Sequence, residues 1–358
     1  MHKNLDFNRY VQDTLLIQDN TSYLISLYNQ YKKDPASIPE EWQKWFKEFA
    51  FDEGLTDTPI WPKRIPINSK EDSADLYRQS GHTLADLDPL GLQKPVRLPE
   101  FQTSSDSLEI LYNQKIGVEF MHIEDQAERL WLQDRFENRN VSFTNTQKLN
   151  FLEQLQNTEY LETFLQTKFP GAKRFSIEGN DVLIPSLENA LNLGVRNGIK
   201  TAVIGMTHRG RLSVMAHILK KPLSLIFEEF RDHHPHEDFP GNGDVKYHKG
   251  YSSRRVFNEQ TLELAILPNA SHLASVIPIA LGRTRFLQQQ KQETLTILIH
   301  GDAAFSAQGI VSESLQLSRL EGYKVKGSLH IILNNQIGFT TTANEGRSTR
   351  YCSDVAKM

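Results

Sequence analysis

The chain has 358 residues, of which 40 are Lys or Arg and 44 are Asp or Glu, so its formal net charge is −4. This length allows about two domains and a large buried core, and the charge excludes a generally basic nucleic-acid-binding protein while it allows a local basic pocket. A hydrophobic content of 39% and a single cysteine exclude a disordered chain and a disulfide framework, and the low cysteine content favours a reducing compartment.

Residues 1–50 are predicted to form a polar arm and a small helical hairpin. The arm lacks the apolar region of a secretory signal, and the chain has no run of about 18 apolar residues, so we expect a cytoplasmic protein without a membrane span. Helical spacing predicts one helix that ends at Asp34-Pro35 and a second, aromatic helix. Their apolar residues are Leu24, Leu27, Tyr28 and Tyr31, then Trp42, Trp45, Phe46 and Phe49. The hairpin either packs on its own aromatic side chains or docks a partner.

Residues 51–170 are predicted to form a linker followed by a helical domain. The first part, up to residue 107, is rich in Pro, Asp and Ser, which favours extended segments and short helices. Longer helical patterns follow at about 124–140 and about 144–168, and Thr144 or Thr146 is the candidate N-cap of the second.

Residues 171–358 alternate short apolar runs with helical patterns. Near-continuous apolar strands between helices are typical of a parallel sheet covered on both faces. We therefore predict an α/β fold with such a sheet, preceded by the helical N-terminal region. The predicted strands are Thr201–Met206, Leu262–Leu267, Leu295–His300 and Ser328–Leu333, and the predicted helices lie at about 181–197, 211–230, 271–288 and 309–320.

Polar residues follow the last two predicted strands, at the carboxyl edge where α/β sheets bind ligands. Asp302 follows one strand and Asn335 follows the next, one strand–helix–strand unit later. With the backbone carbonyl of Ile337, they form the hard oxygen face that Mg²⁺ prefers, and the amides of Ala303 and Ala304 are placed to hold a phosphate. This predicts a Mg²⁺–diphosphate site. The alternative is that the aspartate caps its helix and the asparagines form a turn.

Several motifs resemble, in order, the signature runs of one family, the thiamin diphosphate-dependent decarboxylase component of 2-oxoglutarate dehydrogenase. These are KRFSIEGNDVLIP, VIGMTHRGRLSV, GNGDVKYHKGYSS, HGDAAFSAQGIV and RSTRYCSDVAKM. In addition, GDAAFSAQG followed by NNQIGFTT resembles the diphosphate-binding motif of thiamin diphosphate enzymes. The resemblance is looser before residue 170, where it extends to the family's N-terminal helical segment, linker and helical domain.

The resemblance implies thiamin diphosphate and Mg²⁺ as cofactors and oxidative decarboxylation of 2-oxoglutarate as the reaction. The succinyl group would pass to a lipoyl group of the dihydrolipoyl succinyltransferase component, with dihydrolipoyl dehydrogenase in the same complex. It further implies a homodimer when full length, with no nucleic acid and no membrane span.

The resemblance also implies roles for particular residues. Arg209 would contact the cofactor diphosphate, together with the amides named above. The Mg²⁺ ion would be held by Asp302, Asn335 and the carbonyl of Ile337. The catalytic residues would be His208 and His248, and the residues that bind the 2-oxo acid would be Phe175 and Ser252.

The chain departs from the family pattern at several positions. Ala270 and Ala274 replace the Pro and Glu of a Pro-Ser-His-Leu-Glu run, Ala307 replaces Gly, and Arg350 replaces Pro; these changes bear on local loop geometry and on turnover. The family pattern continues beyond Met358 with the glutamate that activates the cofactor, so we expect residues 1–358 alone not to decarboxylate 2-oxoglutarate. Two alternatives are a 2-oxoadipate homologue, whose substrate differs by one methylene, and a truncated, non-catalytic interaction module.

Overall fold

The computed structural model describes residues 27–28, 30–48, 70–89, 91, 95, 101, 107–139, 141–231 and 244–357. Their contacts divide the chain into two compact units, residues 1–119 and 120–358. The predicted domain boundaries after residues 50 and 170 stay predictions. No helix in the described ranges is both long and apolar enough to cross a membrane.

The first unit begins with the predicted helical hairpin. Helical residues end at Lys33, and the carboxylate of Asp34 accepts a hydrogen bond from the Ala36 amide at 3.0 Å. Helix α1 follows at Glu40–Glu48. The Phe46 ring is buried, and its centroid lies 5.3 Å from that of Tyr28. This confirms that the hairpin packs on its own aromatic side chains, and docking of a partner stays a prediction. The predicted positions Leu24 and Phe49 and the side chain of Trp45 lie outside the described residues.

The rest of the first unit consists of short helices. Helix α2 spans Lys70–Ser80, a 3-10 turn spans Gly81–Thr83, and helix α3 spans Ser107–Tyr112. A Cβ atom at Gly81 would lie 2.8 Å from the Cβ of Tyr112, so only glycine permits this close approach. Part of the predicted linker is therefore packed structure.

Two helices open the second unit, as predicted. Helix α4 spans Gln126–Glu137, and helix α5 spans Asn145–Lys168. Thr144 is the N-cap of α5 in a capping box with Gln147, in which each side chain bonds the other residue's backbone amide. Hence the first of the two candidate N-caps is correct.

The second unit is built on a sheet with the strand order β2-β3-β1-β4-β5 in the described part of the chain. Strands β1, β3, β4 and β5 are parallel, whereas β2 is antiparallel to β3. The strands are β1 Thr201–Met206, β2 Tyr251–Phe257, β3 Gln260–Ile266, β4 Thr294–Gly301 and β5 Ser328–Leu333. The predicted parallel strands are confirmed. The edge strand β2 was not predicted, because its alternately exposed sequence YSSRRVF forms no apolar run.

Helices cover both faces of this sheet, which confirms the predicted fold class. On one face Ile204 packs with α6, α7 and α8, and on the other Val203 packs with α9 and α11. The helices are α6 Leu183–Arg196, α7 Arg211–His217, α8 Leu223–Phe230, α9 Val276–Gln289, α10 Asp302–Ala307 and α11 Gly309–Gln316. The single helix predicted at 211–230 is wrong. The chain breaks there because Lys220 adopts a φ of 55° and Pro222 lacks an amide hydrogen.

Candidate active site

A tight turn between β1 and α7 carries two of the predicted site residues. Gly210 ends the turn with a φ of 72°, and its amide donates to the carbonyl of Phe175 at 2.8 Å. A Cβ atom at Gly210 would lie 3.0 Å from the Ile177 side chain, so this position requires glycine. The turn thereby places His208 and Arg209 at the carboxyl edge of the sheet.

Aromatic rings bring three of the predicted substrate-site residues together. The ring centroids of Phe175 and His208 are 3.8 Å apart. Tyr247 lies against both Phe175 and His248, with centroid distances of 4.9 Å to each. Tyr247 was not predicted as a site residue, although it stands next to His248 in the KYHKG motif.

The electrostatic surroundings keep His208 neutral. Burial, followed by the positive charges of Arg209, His248 and Arg211, lowers the pKa of His208 to about 4. A neutral imidazole has one N–H donor and one acceptor nitrogen. His208 is therefore able to donate a hydrogen bond and to accept a proton at neutral pH. On the neighbouring segment, His248 is buried and its Nδ1 lies 3.4 Å from Oδ1 of Asp244.

Arg209 and Ser252 occupy the same edge. The Nη1 of Arg209 donates to the carbonyl of Ser176 at 3.1 Å, which fixes the guanidinium beside the segment that carries Phe175. Ser252 is exposed near the start of β2, where it pairs with Ala265 close to the carboxyl end of β3.

The segment that carries Phe175 is anchored by a buried carboxylate of α5. Glu162 accepts hydrogen bonds from Arg174 Nε at 3.2 Å, from the Ile177 amide at 3.2 Å and from Ser213 Oγ at 2.7 Å. Phe175 itself has a φ of 50°, a conformation that a bulky residue rarely adopts without support. Glu162 thus holds a strained segment against α7.

Arg211 is a second functional candidate that the sequence reasoning missed. Its side chain is fully buried and donates to the carbonyls of Lys249 and Leu267 at 2.9 Å each, as well as to that of Met206. These bonds join the end of β1, the end of β3 and the segment that follows His248. Burial lowers the pKa of Arg211 to about 10, so it stays charged at neutral pH. The sequence feature that could have indicated Arg211 is its charge at the start of a largely apolar helix, as the second Arg of HRGR.

The predicted metal ligands lie at the ends of β4 and β5. The register pairs Gly301 with Leu333, so Asp302 and Asn335 follow adjacent strand ends. Asp302 is buried, and its Oδ2 accepts from Arg347 Nη1 at 3.3 Å. It is the first residue of α10, whose N-cap is Gly301, so Asp302 does not occupy the capping position of that helix.

The two diphosphate motifs meet at this edge. After Asn335 the chain turns through Gln336, whose φ is 59°, into the short strand β6 at Ile337–Gly338. Strand β6 pairs with β7 at Thr341–Thr342, and helix α12 follows at Ala343–Gly346. A Cβ atom at Gly338 would lie 2.7 Å from that of Ala303, so glycine permits the contact between β6 and α10.

This donor set fits Mg²⁺ bound together with a diphosphate. It offers one buried carboxylate and neutral oxygens, and the described residues contain no cluster of three His, Cys, Asp or Glu side chains that would hold a metal by itself. Mg²⁺ takes its remaining ligands from phosphates and water. Ala303 and Ala304 lie in the first turn of α10, and their role in phosphate binding stays a prediction.

Comparisons with known proteins give a consistent result. The family model described as "Dehydrogenase E1 component" matches residues 154–358, and "2-oxoglutarate dehydrogenase N-terminus" matches residues 13–53. The chain is similar to three proteins named "2-oxoglutarate dehydrogenase E1 component". It is 33% identical to that of Haemophilus influenzae over 100% of this chain and 45% of the relative. The identity is 37% for Geobacillus sp., over 94% and 43%, and 39% for Brucella ovis, over 96% and 45%. The chain thus spans less than half the length of these curated relatives.

Proposed function

Because the chain belongs to the dehydrogenase E1 component family, we propose that it binds thiamin diphosphate through Mg²⁺ and serves in the oxidative decarboxylation of 2-oxoglutarate. The observation that carries this proposal is the contact between the GDAAF and NNQIGF motifs, with buried Asp302 between the ends of two parallel strands. When bound, thiamin diphosphate supplies the carbon nucleophile and takes up the electron pair left by the departing CO₂.

The diphosphate end of the proposed site uses residues that follow β1, β4 and β5. Asp302, Asn335 and the Ile337 carbonyl hold the Mg²⁺ ion, and Arg209 binds a phosphate oxygen. Arg347, which pairs with Asp302 at 3.3 Å, balances the carboxylate charge until the metal binds. These roles rest on the oxygen donors and the positive charges at one sheet edge.

The substrate end uses the aromatic and histidine group. The positive charges of Arg209 and Arg211 near His208 make this region favourable for an anion. We propose that His208 and His248 donate hydrogen bonds to the carboxylate and keto oxygens of the substrate. Phe175 and Ser252 line the same pocket, and neutral His208 also accepts or returns a proton there.

The proposal extends to the partners of the complete protein. The succinyl group passes to a lipoyl group of the dihydrolipoyl succinyltransferase component, dihydrolipoyl dehydrogenase belongs to the same complex, and the protein is a cytoplasmic homodimer. Its support is the names of the relatives, each a dehydrogenase component. A 2-oxoadipate substrate is the second candidate, and one methylene changes affinity by only about 1–3 kcal/mol.

Calorimetric titration tests the substrate class. The chain is first loaded with thiamin diphosphate and Mg²⁺ and then titrated with 2-oxoglutarate or with 2-oxobutyrate, which lacks the second carboxylate. We expect 2-oxoglutarate to bind about 10–150-fold more tightly, because each charge-assisted bond contributes about 1.5–3 kcal/mol. Equal affinities would exclude a dicarboxylate site, and failure to bind thiamin diphosphate would exclude the cofactor site proposed in these residues.

A further inference from the structure

Asn269 stands out because its buried carboxamide has no partner. The residue is 3% exposed, and neither Oδ1 nor Nδ2 has a hydrogen-bond partner among the described residues. A buried donor and acceptor without partners are costly, and folded proteins pair nearly all such groups.

The position of Asn269 connects this amide to the candidate active site. Asn269 follows β3 at the carboxyl edge, and its backbone amide donates to the carbonyl of His248 at 2.8 Å. Arg211 joins the two neighbouring segments through the carbonyls of Lys249 and Leu267. The unpaired carboxamide therefore lies where the segment that follows β3 contacts the segment that carries His248, one of the two site histidines.

The two segments approach each other closely at Gly250. A Cβ atom at Gly250 would lie 2.8 Å from both the Ile266 carbonyl oxygen and the Pro268 Cδ, so the two segments touch through glycine. Together with the Arg211 bonds, this contact opposes a local rearrangement that would bring the amide to another protein group. The partner of the Asn269 carboxamide is then either a structural water or a bound ligand, and the test below distinguishes the two.

We infer that the Asn269 carboxamide is a further ligand-binding group of the candidate active site, and that its Nδ2 hydrogen-bonds an anionic oxygen of the ligand. This inference rests on the proposed function, which provides two sources of such an oxygen, the 2-oxo acid and the cofactor diphosphate. The positive charges of Arg209 and Arg211 act on the same region, so an anionic ligand is favoured there over a cation.

The test compares Asn269→Leu and Asn269→Ala with the wild-type chain in two measurements. The first is the thermal midpoint of the ligand-free chain. If the amide is unpaired without ligand, the leucine variant is expected to melt about 2–4 °C higher, since it removes a buried unpaired group. The second is calorimetric titration with thiamin diphosphate and Mg²⁺, followed by 2-oxoglutarate. Binding of one of these ligands should weaken about 10–100-fold in both variants, and the ligand affected identifies the source of the anionic oxygen.

Gln154→Leu is the matched control. Its Oε1 is also buried without a partner, but Gln154 lies on α5, away from the carboxyl edge. This variant should leave both ligand affinities within about twofold of wild type, because only the loss of a ligand-binding amide is expected to change them.

The outcomes separate this inference from the proposed function. Unchanged affinities in both Asn269 variants would overturn the inference. A lower midpoint in both variants would also overturn it, because the amide would then be held by a structural water and any loss of binding would follow from structural damage. If the wild-type chain bound neither ligand, the cofactor and substrate site proposed in these residues would be wrong, and the inference about Asn269, which rests on it, would be wrong as well.

Discussion

At the scale of single residues, Asp302 combines deep burial with a single ionic partner. It is 2% exposed and pairs with Arg347, which lies in the segment after α12. A buried carboxylate is stable only when a positive charge or a metal compensates it. The Arg347 pair therefore stabilises the Asp302 carboxylate in the metal-free chain.

Replacing Arg347 with glutamine should destabilise the metal-free chain and increase its response to Mg²⁺. Loss of the partner leaves a buried carboxylate poorly satisfied, which costs about 1–3 kcal/mol. In urea denaturation, Mg²⁺ should restore more stability to this variant than to wild type. Arg350→Gln, an exposed change in the same segment, is the control and should change neither quantity. A Mg²⁺ response equal to that of wild type would show that Asp302 does not meet the metal.

Replacing His208 or His248 with alanine should weaken binding of 2-oxoglutarate much more than binding of thiamin diphosphate. Each change removes a candidate donor to the substrate, a loss of about 1.5–3 kcal/mol or roughly 10–150-fold. The measurement is calorimetry of the cofactor-loaded chain, with the exposed His122→Ala variant as control. Substrate affinities within about twofold of wild type for both variants would remove the histidines from this role.

At the scale of elements, the site depends on short connections held by helices that do not touch the proposed ligands. The clearest case is α5, whose Glu162 accepts three hydrogen bonds from the 174–177 segment and α7. That segment provides the Phe175 ring and the Ser176 carbonyl that meet His208 and Arg209. The positions of the site residues therefore depend on a helix that does not itself carry a proposed ligand-binding residue.

Replacing Glu162 with alanine should lower the free energy of unfolding by about 3–5 kcal/mol, because it removes the acceptor of buried Ser213 Oγ and of the Ile177 amide. Arg174 loses one acceptor and keeps Gln166 and Glu178. Glu159→Ala, an exposed change on the same helix, should have an effect below about 0.5 kcal/mol. Urea denaturation measures both. Equal losses in the two variants would show that the Glu162 bonds do not hold the segment.

At the scale of the whole molecule, buried histidines should make the fold sensitive to acid. Burial lowers the pKa of His208 and His217 to about 4 and that of His300 to about 3. His300 is 2% exposed, and its Nε2 lies 3.1 Å from Nδ1 of His330. The unfolded chain binds protons at these groups first, near pH 6.5. Stability is therefore complete above that value and falls as the pH decreases toward 4.

Between pH 6.5 and 5.5, His300 alone should account for a loss of about 1 kcal/mol in unfolding free energy. The pH dependence of urea denaturation measures this loss, and His300→Gln should reduce it, whereas His122→Gln should leave it unchanged. A stability that stays constant down to pH 5 in the wild-type chain would contradict the burial of neutral histidines.

Structural features that follow from a local sequence pattern were predicted, and those that depend on contacts between distant segments were not. Apolar runs and helical periodicity were sufficient for β1, β3, β4 and β5, whereas the edge strand β2 alternates in exposure and was missed. The placement of Asp302 and Asn335 at adjacent strand ends was predicted correctly because strand ends are visible in the sequence, and their role as metal ligands stays a prediction. Arg211 was missed because its partners are backbone carbonyls from three segments, which no local pattern reports.

Binding of thiamin diphosphate by the wild-type chain, with and without Mg²⁺, tests the central claim most directly. Calorimetry should show binding that Mg²⁺ strengthens at least about 10-fold, a difference of about 1.4 kcal/mol. Asp302→Ala should abolish this dependence, while Asp354→Ala, which removes a carboxylate paired with Lys357, should preserve it. If the wild-type chain binds the cofactor equally well without Mg²⁺, or if Asp302→Ala behaves like wild type, then the ends of β4 and β5 are not the metal site.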